Sequence, residues 1–353
     1  MTWSESARLL LGGQLAALRE FNWSVVSGDP YRDAPSDIVP HCIPMRRELA
    51  LSDFQSFWNL LRFFRAHRFA FVQTHTPKAS LLGLPAARLA GLPTLYTMHG
   101  SLYFKDNSLR ANIAGWVFER WCAAWAHRVL LQSREDLETV VESRICPRRK
   151  VVHVGNGIDL SRFAATGEVP CPPGKPTVLM ISRLVAEKGC RDFFEVARAL
   201  HERASFVHVG PSEKDQRDAI TDEEMRHLST AGYVEFVGPV SDVRPHLARA
   251  NLVLLPSYRE GIPRVAMEAA AASRPVAGYN IRGLREVIPP PLGLLVKRGE
   301  VTALIELVGR LLDVPQRLPT LGRACQQWVL SEFSEAAVVE RLRGVYRSLL
   351  ETQ

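Results

Sequence analysis

Short apolar runs, each followed by a stretch with helical spacing, recur along the whole of this 353-residue chain. Runs rich in Val, Ile and Leu on both faces need cover on both sides. They therefore belong to parallel sheets between helical layers, not to a sandwich or an open meander. In the first half the pattern predicts strands at Trp23–Ser27, Asp37–Ile43, Ala70–His75, Leu95–His99, Arg128–Gln132 and Val151–Val154. Helices are expected at Arg8–Glu20, Ser52–Ala66, Lys78–Ala90, Ser108–Trp125 and Arg134–Glu142. The second half repeats the rhythm, with strands at Thr177–Ser182, Phe206–Gly210, Val234–Val237, Leu252–Pro256, Pro275–Ala277 and Gly293–Val296. Ala164–Pro176 holds four prolines and two glycines and reads as a linker. Three helical segments follow, at 301–313, 317–332 and 335–350. The expectation is an α/β protein with Rossmann-like domains over 1–165 and 166–334 and a last segment, 335–353, packing back on the first.

Composition narrows the class. With 46% hydrophobic and 23% charged residues the chain has the make-up of a soluble globular protein. No run approaches the roughly 18–20 apolar residues that span a bilayer, and Leu9–Leu11 lacks the length and flanks of a signal peptide. Six cysteines (Cys42, Cys122, Cys146, Cys171, Cys190, Cys325) show no C-x-x-C pair, which fits buried thiols in a reducing cytosol. Residues 1–165 hold 20 Lys and Arg against 14 Asp and Glu, a net of +6, and the remainder 24 against 23. A basic first half suits an anionic partner, either a phosphorylated substrate or an acidic membrane surface. Nucleic acid is not expected, because no motif of a nucleic-acid-binding fold is present.

Doubly wound sheets bind ligands beyond the carboxyl ends of their strands, so polar residues there carry most weight. Pro256-Ser-Tyr-Arg-Glu260-Gly-Ile-Pro-Arg-Val-Ala-Met-Glu268 leaves a strand and opens a helix. Gly261 lets backbone approach a ligand, and a carboxylate here can orient sugar hydroxyls. Equally, Glu260 and Glu268 read as carboxylates favoured near a helix start. Arg183 and Lys188, in one strand-to-helix loop ending at Gly189, make either a diphosphate clamp or two solvated cations. His75-Thr-Pro-Lys78 and His99-Gly100 end two strands of the first half, with Lys78 a candidate contact for an acceptor phosphate. There is no D-x-D sequence, no G-x-S-x-G, no P-loop and no complete G-x-G-x-x-G. Without a D-x-D, Arg183 and Lys188 stand in for a metal as the charge on a leaving diphosphate, and no metal or other cofactor is expected.

Together these residues resemble the family 4 retaining glycosyltransferases of GT-B fold. Glu260–Glu268 looks like their E-x7-E motif. His75-Thr-Pro-Lys-Ala79, His99-Gly100, Gly155-Asn-Gly-Ile-Asp159, Arg183–Gly189, Glu235-Phe-Val-Gly238 and Pro256–Gly261 follow in the family's order. The resemblance implies two Rossmann-like domains with parallel sheets facing across a cleft. It implies that Arg183 and Lys188 bind the donor diphosphate and that Glu260 holds sugar hydroxyls. Gly261, Ile262 and Pro263 would offer backbone groups, Glu268 would bind ribose, and His99 would lie beside the transferred sugar. His75, Lys78 and Gly100 join these as substrate contacts. A UDP-activated hexose or N-acetylhexosamine, a polyprenyl-diphosphate-linked or other glycan acceptor, and no protein nucleophile complete the expectation. The HTPKA and PSYREGIPR variants are similar to the subgroup that builds capsule, O-antigen and exopolysaccharide units.

One departure stands out. Family members begin with a hydrophobic strand, whereas here Met1 leads at once into helix-like sequence. The expectation is a first-domain sheet lacking one strand, with the start some ten residues upstream or an impaired copy as explanations. Phe54, Phe57, Trp58, Leu61 and Phe64 recur at helical spacing with arginines nearby. That stripe reads as core packing or as an interfacial helix, and Leu102–Lys105 as a second candidate for lipid or acceptor contact. A cytoplasmic enzyme, with the inner face of the cytoplasmic membrane as a candidate contact, is the resulting picture. The alternatives are a catalytically dead scaffold in a polysaccharide assembly complex and a GT-B sugar-nucleotide epimerase.

Overall fold

The computed structural model describes residues 1–46, 48–103, 108–164, 174–213, 216, 218–292 and 294–351. The chain divides into two compact units, Met1–Gly157 with Glu335–Gln353, and Ile158–Ser334. Residues 165–173, most of the linker-like segment, lie outside the described residues, as does Cys171.

The first unit holds strands β1 (Trp23–Ser27), β2 (Ile38–Cys42), β3 (Val72–Thr74), β4 (Thr94–Met98), β5 (Arg128–Leu131) and β6 (Val151–His153). Its helices are α1 (Ser4–Ala17), α2 (Ser52–Ala66), α3 (Pro77–Leu89), α4 (Leu109–Trp125) and α5 (Arg134–Glu142). The second unit holds β7 (Thr177–Ile181), β8 (Ser205–Val209), β9 (Glu235–Gly238), β10 (Leu252–Leu255), β11 (Val276–Tyr279) and β12 (Leu295–Val296). Its helices are α6 (Ser161–Ala164), α7 (Cys190–Leu200), α8 (Asp222–Thr230), α9 (Arg244–Arg249), α10 (Arg264–Ala271), α11 (Leu284–Val287), α12 (Val301–Asp313) and α13 (Leu318–Glu332). Helix α14 (Glu335–Glu351) returns to the first unit.

Each paired strand runs parallel to its neighbour. The second unit's sheet has the order β12-β11-β10-β7-β8-β9, a doubly wound Rossmann-like arrangement. Strands β7 and β10 are nearly free of solvent along their length, as apolar runs covered on both faces must be. Helix α7 is cleanly amphipathic and buries Cys190, Phe193, Phe194, Val196, Ala197 and Leu200.

The first unit's strands form two sheets, a pair β1-β2 and a quartet β3-β4-β5-β6. Set beside the second unit, these follow the same winding, with no strand among the described residues at the position between β1 and β3. A cavity of about 420 Å³ occupies that position, lined by Trp23–Val26 on one side and Phe71–Thr74 on the other. At one end the Met1 nitrogen donates to the Val26 carbonyl (2.8 Å) and Gly28 N–H to the Thr2 carbonyl (3.1 Å). At the other, Tyr346 of α14 stacks on Phe71 (4.9 Å between centroids) and meets Trp23 edge-on (5.6 Å).

Helix α14 buries Val338, Val339, Leu342 and Tyr346 against Leu18, Leu95, Leu130 and Val154. Helix α1 begins at Ser4, earlier than the apolar pattern suggests, because Asp29 caps it from afar. Its carboxylate accepts from Ser4 N–H and Ser4 Oγ, both at 2.7 Å. In α2, Leu60, Leu61 and Phe64 are buried and Phe57 partly so, while Phe54 and Trp58 are exposed. The stripe is therefore core packing with two aromatic outliers. Among the described residues no helix is long and apolar enough to cross a membrane.

Candidate functional site

In the second unit the chain leaves β7 towards β8 and β9, then returns to lay β10 on the other flank of β7. Strand order reverses between these two neighbours, which opens a crevice beyond their carboxyl ends. The loop after β7 carries Arg183 and Lys188, and the loop after β10 carries Glu260.

The two loops are locked backbone to backbone. Gly189 has φ 73°, and a Cβ there would come within 1.9 Å of the Pro256 carbonyl oxygen. Only glycine allows both that conformation and that approach. Tyr258 N–H donates to the Glu187 carbonyl at 3.0 Å, fastening the loops once more.

Lys188 Nζ donates to Glu260 Oε1 at 2.7 Å, so two residues 72 positions apart meet directly, both largely buried. Arg183 Nη1 donates to Glu213 Oε2 at 2.8 Å and is more exposed. Ile262 and Pro263 are buried, with Pro263 at the amino end of α10. Gly261 is held from the far side by the loop after β11. Gly283 has φ 78° and lies so close that a Cβ would stand 1.4 Å from the Gly261 carbonyl oxygen. Glu268 sits one turn into α10, and burial raises its pKa against the opposing pull of Arg264 and Arg162.

Beneath the loops, Asp192 Oδ2 accepts from Tyr258 Oη (2.7 Å) and Tyr279 Oη (2.6 Å). Burial, then the hydrogen bond to Asp192, pushes the Tyr258 hydroxyl up to about 12. Asp192, Tyr279 and Glu213 were not anticipated from sequence. Tyr279 does end a strand at the same rim, which is the signal that could have pointed to it, but nothing local singles out Glu213.

In the first unit His75 follows β3 and His99 follows β4, its neighbour in the sheet. His75 Nδ1 and His99 Nε2 are 3.2 Å apart. Burial lowers the His99 pKa to about 4, partly offset by a hydrogen bond to Gln132. Burial, then the neighbouring His99, lowers His75 well below its usual range. Both rings are neutral at pH 7, and one donates to the other. Gly100 follows with φ 146°, a conformation suited to glycine.

Two buried carboxylates hold the next turn. Asp136 accepts from Ser101 N–H (3.1 Å), while Glu119 accepts from Ser101 Oγ (2.8 Å) and Leu102 N–H (2.5 Å). Glu119 is the one carboxylate of α4, a sequence signal for this positioning role. Lys78 is buried, its ammonium bonded to the Asp53 carboxylate and the Glu48 carbonyl (2.8 Å). Burial alone would raise the Asp53 carboxyl; the Lys78 ammonium holds it below its ordinary value. Lys78 therefore has an internal carboxylate partner, as Lys188 has in Glu260. Phe104 and Lys105 lie outside the described residues.

Residues 10–162 match the family model described as glycosyltransferase family 4, and residues 175–314 the model described as glycosyl transferases group 1. The capsular polysaccharide biosynthesis glycosyltransferase CapM of Staphylococcus aureus is 24% identical, over 97% of this chain and 94% of that protein. A Campylobacter jejuni N,N'-diacetylbacillosaminyl-diphospho-undecaprenol alpha-1,3-N-acetylgalactosaminyltransferase is 25% identical, over 84% of this chain and 82% of its own length. Anabaena Alr3699/HepE, solved in complex with UDP and glucose, superposes with a TM-score of 0.81 at 17% identity, covering 99% and 98% of the two chains. That likeness shows the fold, a GT-B pair of Rossmann-like halves with parallel sheets.

Proposed function

We propose, from the premise that this chain belongs to the family 4 glycosyltransferases, that it moves a hexose or N-acetylhexosamine from a UDP-sugar to a polyprenyl-diphosphate-linked acceptor. The observation that carries the reading is the Lys188–Glu260 pair at the reversal point of the second sheet, with Arg183 on the same loop. A nucleotide diphosphate entering the crevice competes with Glu260 for Lys188 and with Glu213 for Arg183. Lys188 then neutralises the leaving phosphate, and Glu260 is released to accept from sugar hydroxyls. Glu268 accepts from the ribose, and Gly261, Ile262 and Pro263 offer backbone groups.

Transfer is proposed to be retaining, by front-face attack with the leaving phosphate accepting the acceptor proton, and to need no metal. The absence of a D-x-D sequence and the presence of two cations on the diphosphate side support that reading. In the first unit the neutral His75–His99 pair, beside Gly100, presents hydrogen-bonding groups without charge to the substrate. The Campylobacter relative is named for transfer to a diphospho-undecaprenol-linked sugar, which supports a lipid-linked acceptor, and the Anabaena complex supports a UDP-linked donor. Peripheral contact with the anionic inner face of the cytoplasmic membrane belongs to the same proposal.

Calorimetry with UDP, GDP, UDP-glucose, UDP-GlcNAc and UDP-GalNAc, with no divalent metal, tests the donor side. UDP and one UDP-sugar should bind; Arg183→Ala should weaken both by roughly tenfold to a hundredfold, whereas Glu260→Ala should weaken the UDP-sugar to that extent and leave UDP no weaker. Binding that requires added metal, or that neither variant changes, refutes the assignment. The anomeric configuration of the product, read by NMR, tests retention.

A further inference from the structure

Helix α4 has an unusual outer face. Leu109, Ile113, Val117 and Trp121 recur every fourth residue and are 76, 56, 55 and 46% exposed. They form one apolar stripe about 18 Å long. Exposed Arg110, Ala114 and Arg120 and half-buried Trp116 share that side. The helix's single carboxylate, Glu119, points the other way and is buried.

Cations border this face. Arg120 lies over the Trp116 ring (5.2 Å to its centroid) and donates to the Arg144 carbonyl at 2.5 Å. Lys150 donates to the Ala123 and Ala126 carbonyls (3.1 and 2.8 Å) at the carboxyl end of α4, next in sequence to the exposed Arg148 and Arg149. The exposed carboxylates of the following helix, Glu138 and Glu142, only partly offset this charge.

We infer that the outer face of α4 is a membrane-docking surface, with Leu109, Ile113, Val117 and Trp121 entering the headgroup–acyl boundary of an anionic bilayer while Arg110, Arg120, Arg148 and Arg149 meet lipid phosphates. An exposed apolar stripe of this length marks a contact surface, and arginines beside it with no carboxylate among them favour an anionic partner. Trp121 suits that depth, with an apolar ring and one polar edge. A second copy on a two-fold axis through the stripe would bring the Arg110 and Arg120 of one copy towards those of the other, so self-association is disfavoured by charge. The inference deepens the lipid-linked-acceptor reading and rests on it for its purpose, while its geometry is independent of the donor site.

The test is flotation of the full chain with vesicles of phosphatidylethanolamine and phosphatidylglycerol, beside vesicles of phosphatidylcholine alone. Binding is expected on the anionic vesicles, falling as salt rises. The double variant Ile113→Gln/Val117→Gln should lower partitioning at least tenfold. Arg110→Ser/Arg148→Ser should weaken binding to anionic vesicles alone. Circular dichroism should be unchanged for both, since the positions are exposed. Wild-type protein that stays with the buffer at low salt, or an Ile113→Gln/Val117→Gln variant that floats like wild type, overturns the inference. So does a wild-type dimer that this variant makes monomeric, since the stripe then belongs to an interface between copies. UDP binding measured on the same samples keeps the two readings apart, because failure there with vesicle binding intact counts against the donor site alone.

Discussion

Gly283→Ala isolates the geometry of the donor loop. Gly283 has φ 78° and ψ −51°, close to the strained γ-turn conformation that only glycine adopts readily. Holding alanine there costs about 1–3 kcal/mol by itself. The new Cβ would also stand 1.4 Å from the Gly261 carbonyl oxygen and 2.6 Å from its carbon. Ordinary contact needs about 2 Å more separation, and the obstacle is backbone, so the segment around Gly261 must move. Displacing a binding loop by 1 Å can cost about a hundredfold in rate, or about 2.7 kcal/mol. The expected result is at least a hundredfold lower kcat/KM, UDP binding weakened in parallel, and a fall in Tm of a few degrees with circular dichroism retained. Gly232→Ala is the control. It carries the same kind of positive φ, 70°, but a Cβ there meets nothing within 4 Å. It should lose stability and leave UDP binding untouched. Equal UDP affinity in wild type and Gly283→Ala would refute the argument that Gly283 seats the Gly261 segment.

Acid should weaken the fold through buried histidines. His99 and His208 both have folded-state pKa values lowered to about 4, chiefly by burial. The unfolded chain therefore takes up protons from about pH 6.5 down while the folded chain does not, so stability is lost as pH falls from about 6.5 to about 4. The slope of unfolding free energy against pH, from urea titrations, should diminish in His208→Gln; an unchanged slope counts against this origin. Asp192→Asn replaces the carboxylate oxygen that two tyrosine hydroxyls share. About 2 kcal/mol of stability should go, with UDP affinity falling as the 256–260 loop loosens, and Tm and calorimetry check both. Fusing a five-residue Val/Ile-rich strand directly ahead of Met1 should fill the cavity between β1 and β3. It should raise Tm by at least several degrees over a Gly/Ser extension of equal length. No difference between the two extensions would show that the cavity does not accept a strand.

The alternation of apolar runs and helical spacing was legible enough to locate β1 at Trp23–Ser27 and α2 at Ser52–Ala66, since periodicity is a local property. The same rule, that ligands gather at strand ends, singled out Lys188 and Glu260 separately. Their direct bond depends on β10 lying beside β7, and strand order is set by winding that no local window contains. Lys78 shows the same limit: its position after a strand marks it as a candidate ligand contact, but its pairing with Asp53, 25 residues earlier, is not visible locally. Asp29 capping Ser4 and Glu119 bracing Ser101 escaped for the same reason, each acting across loops whose closure the sequence does not spell out.

The first unit is written in two instalments, 1–157 and 335–353, with the second unit inserted between them. The insert closes on itself: Ile158 N–H bonds the Phe333 carbonyl, and Ile158 bridges to Ser334, so its ends lie side by side. During translation it can finish folding while the first unit still lacks α14 and leaves Leu18, Leu95, Leu130 and Val154 uncovered. The nascent protein thus carries an exposed apolar seam until α14 has emerged from the ribosome. Chaperone demand should concentrate on that interval, since the first half is completed only after the whole of the second has been made.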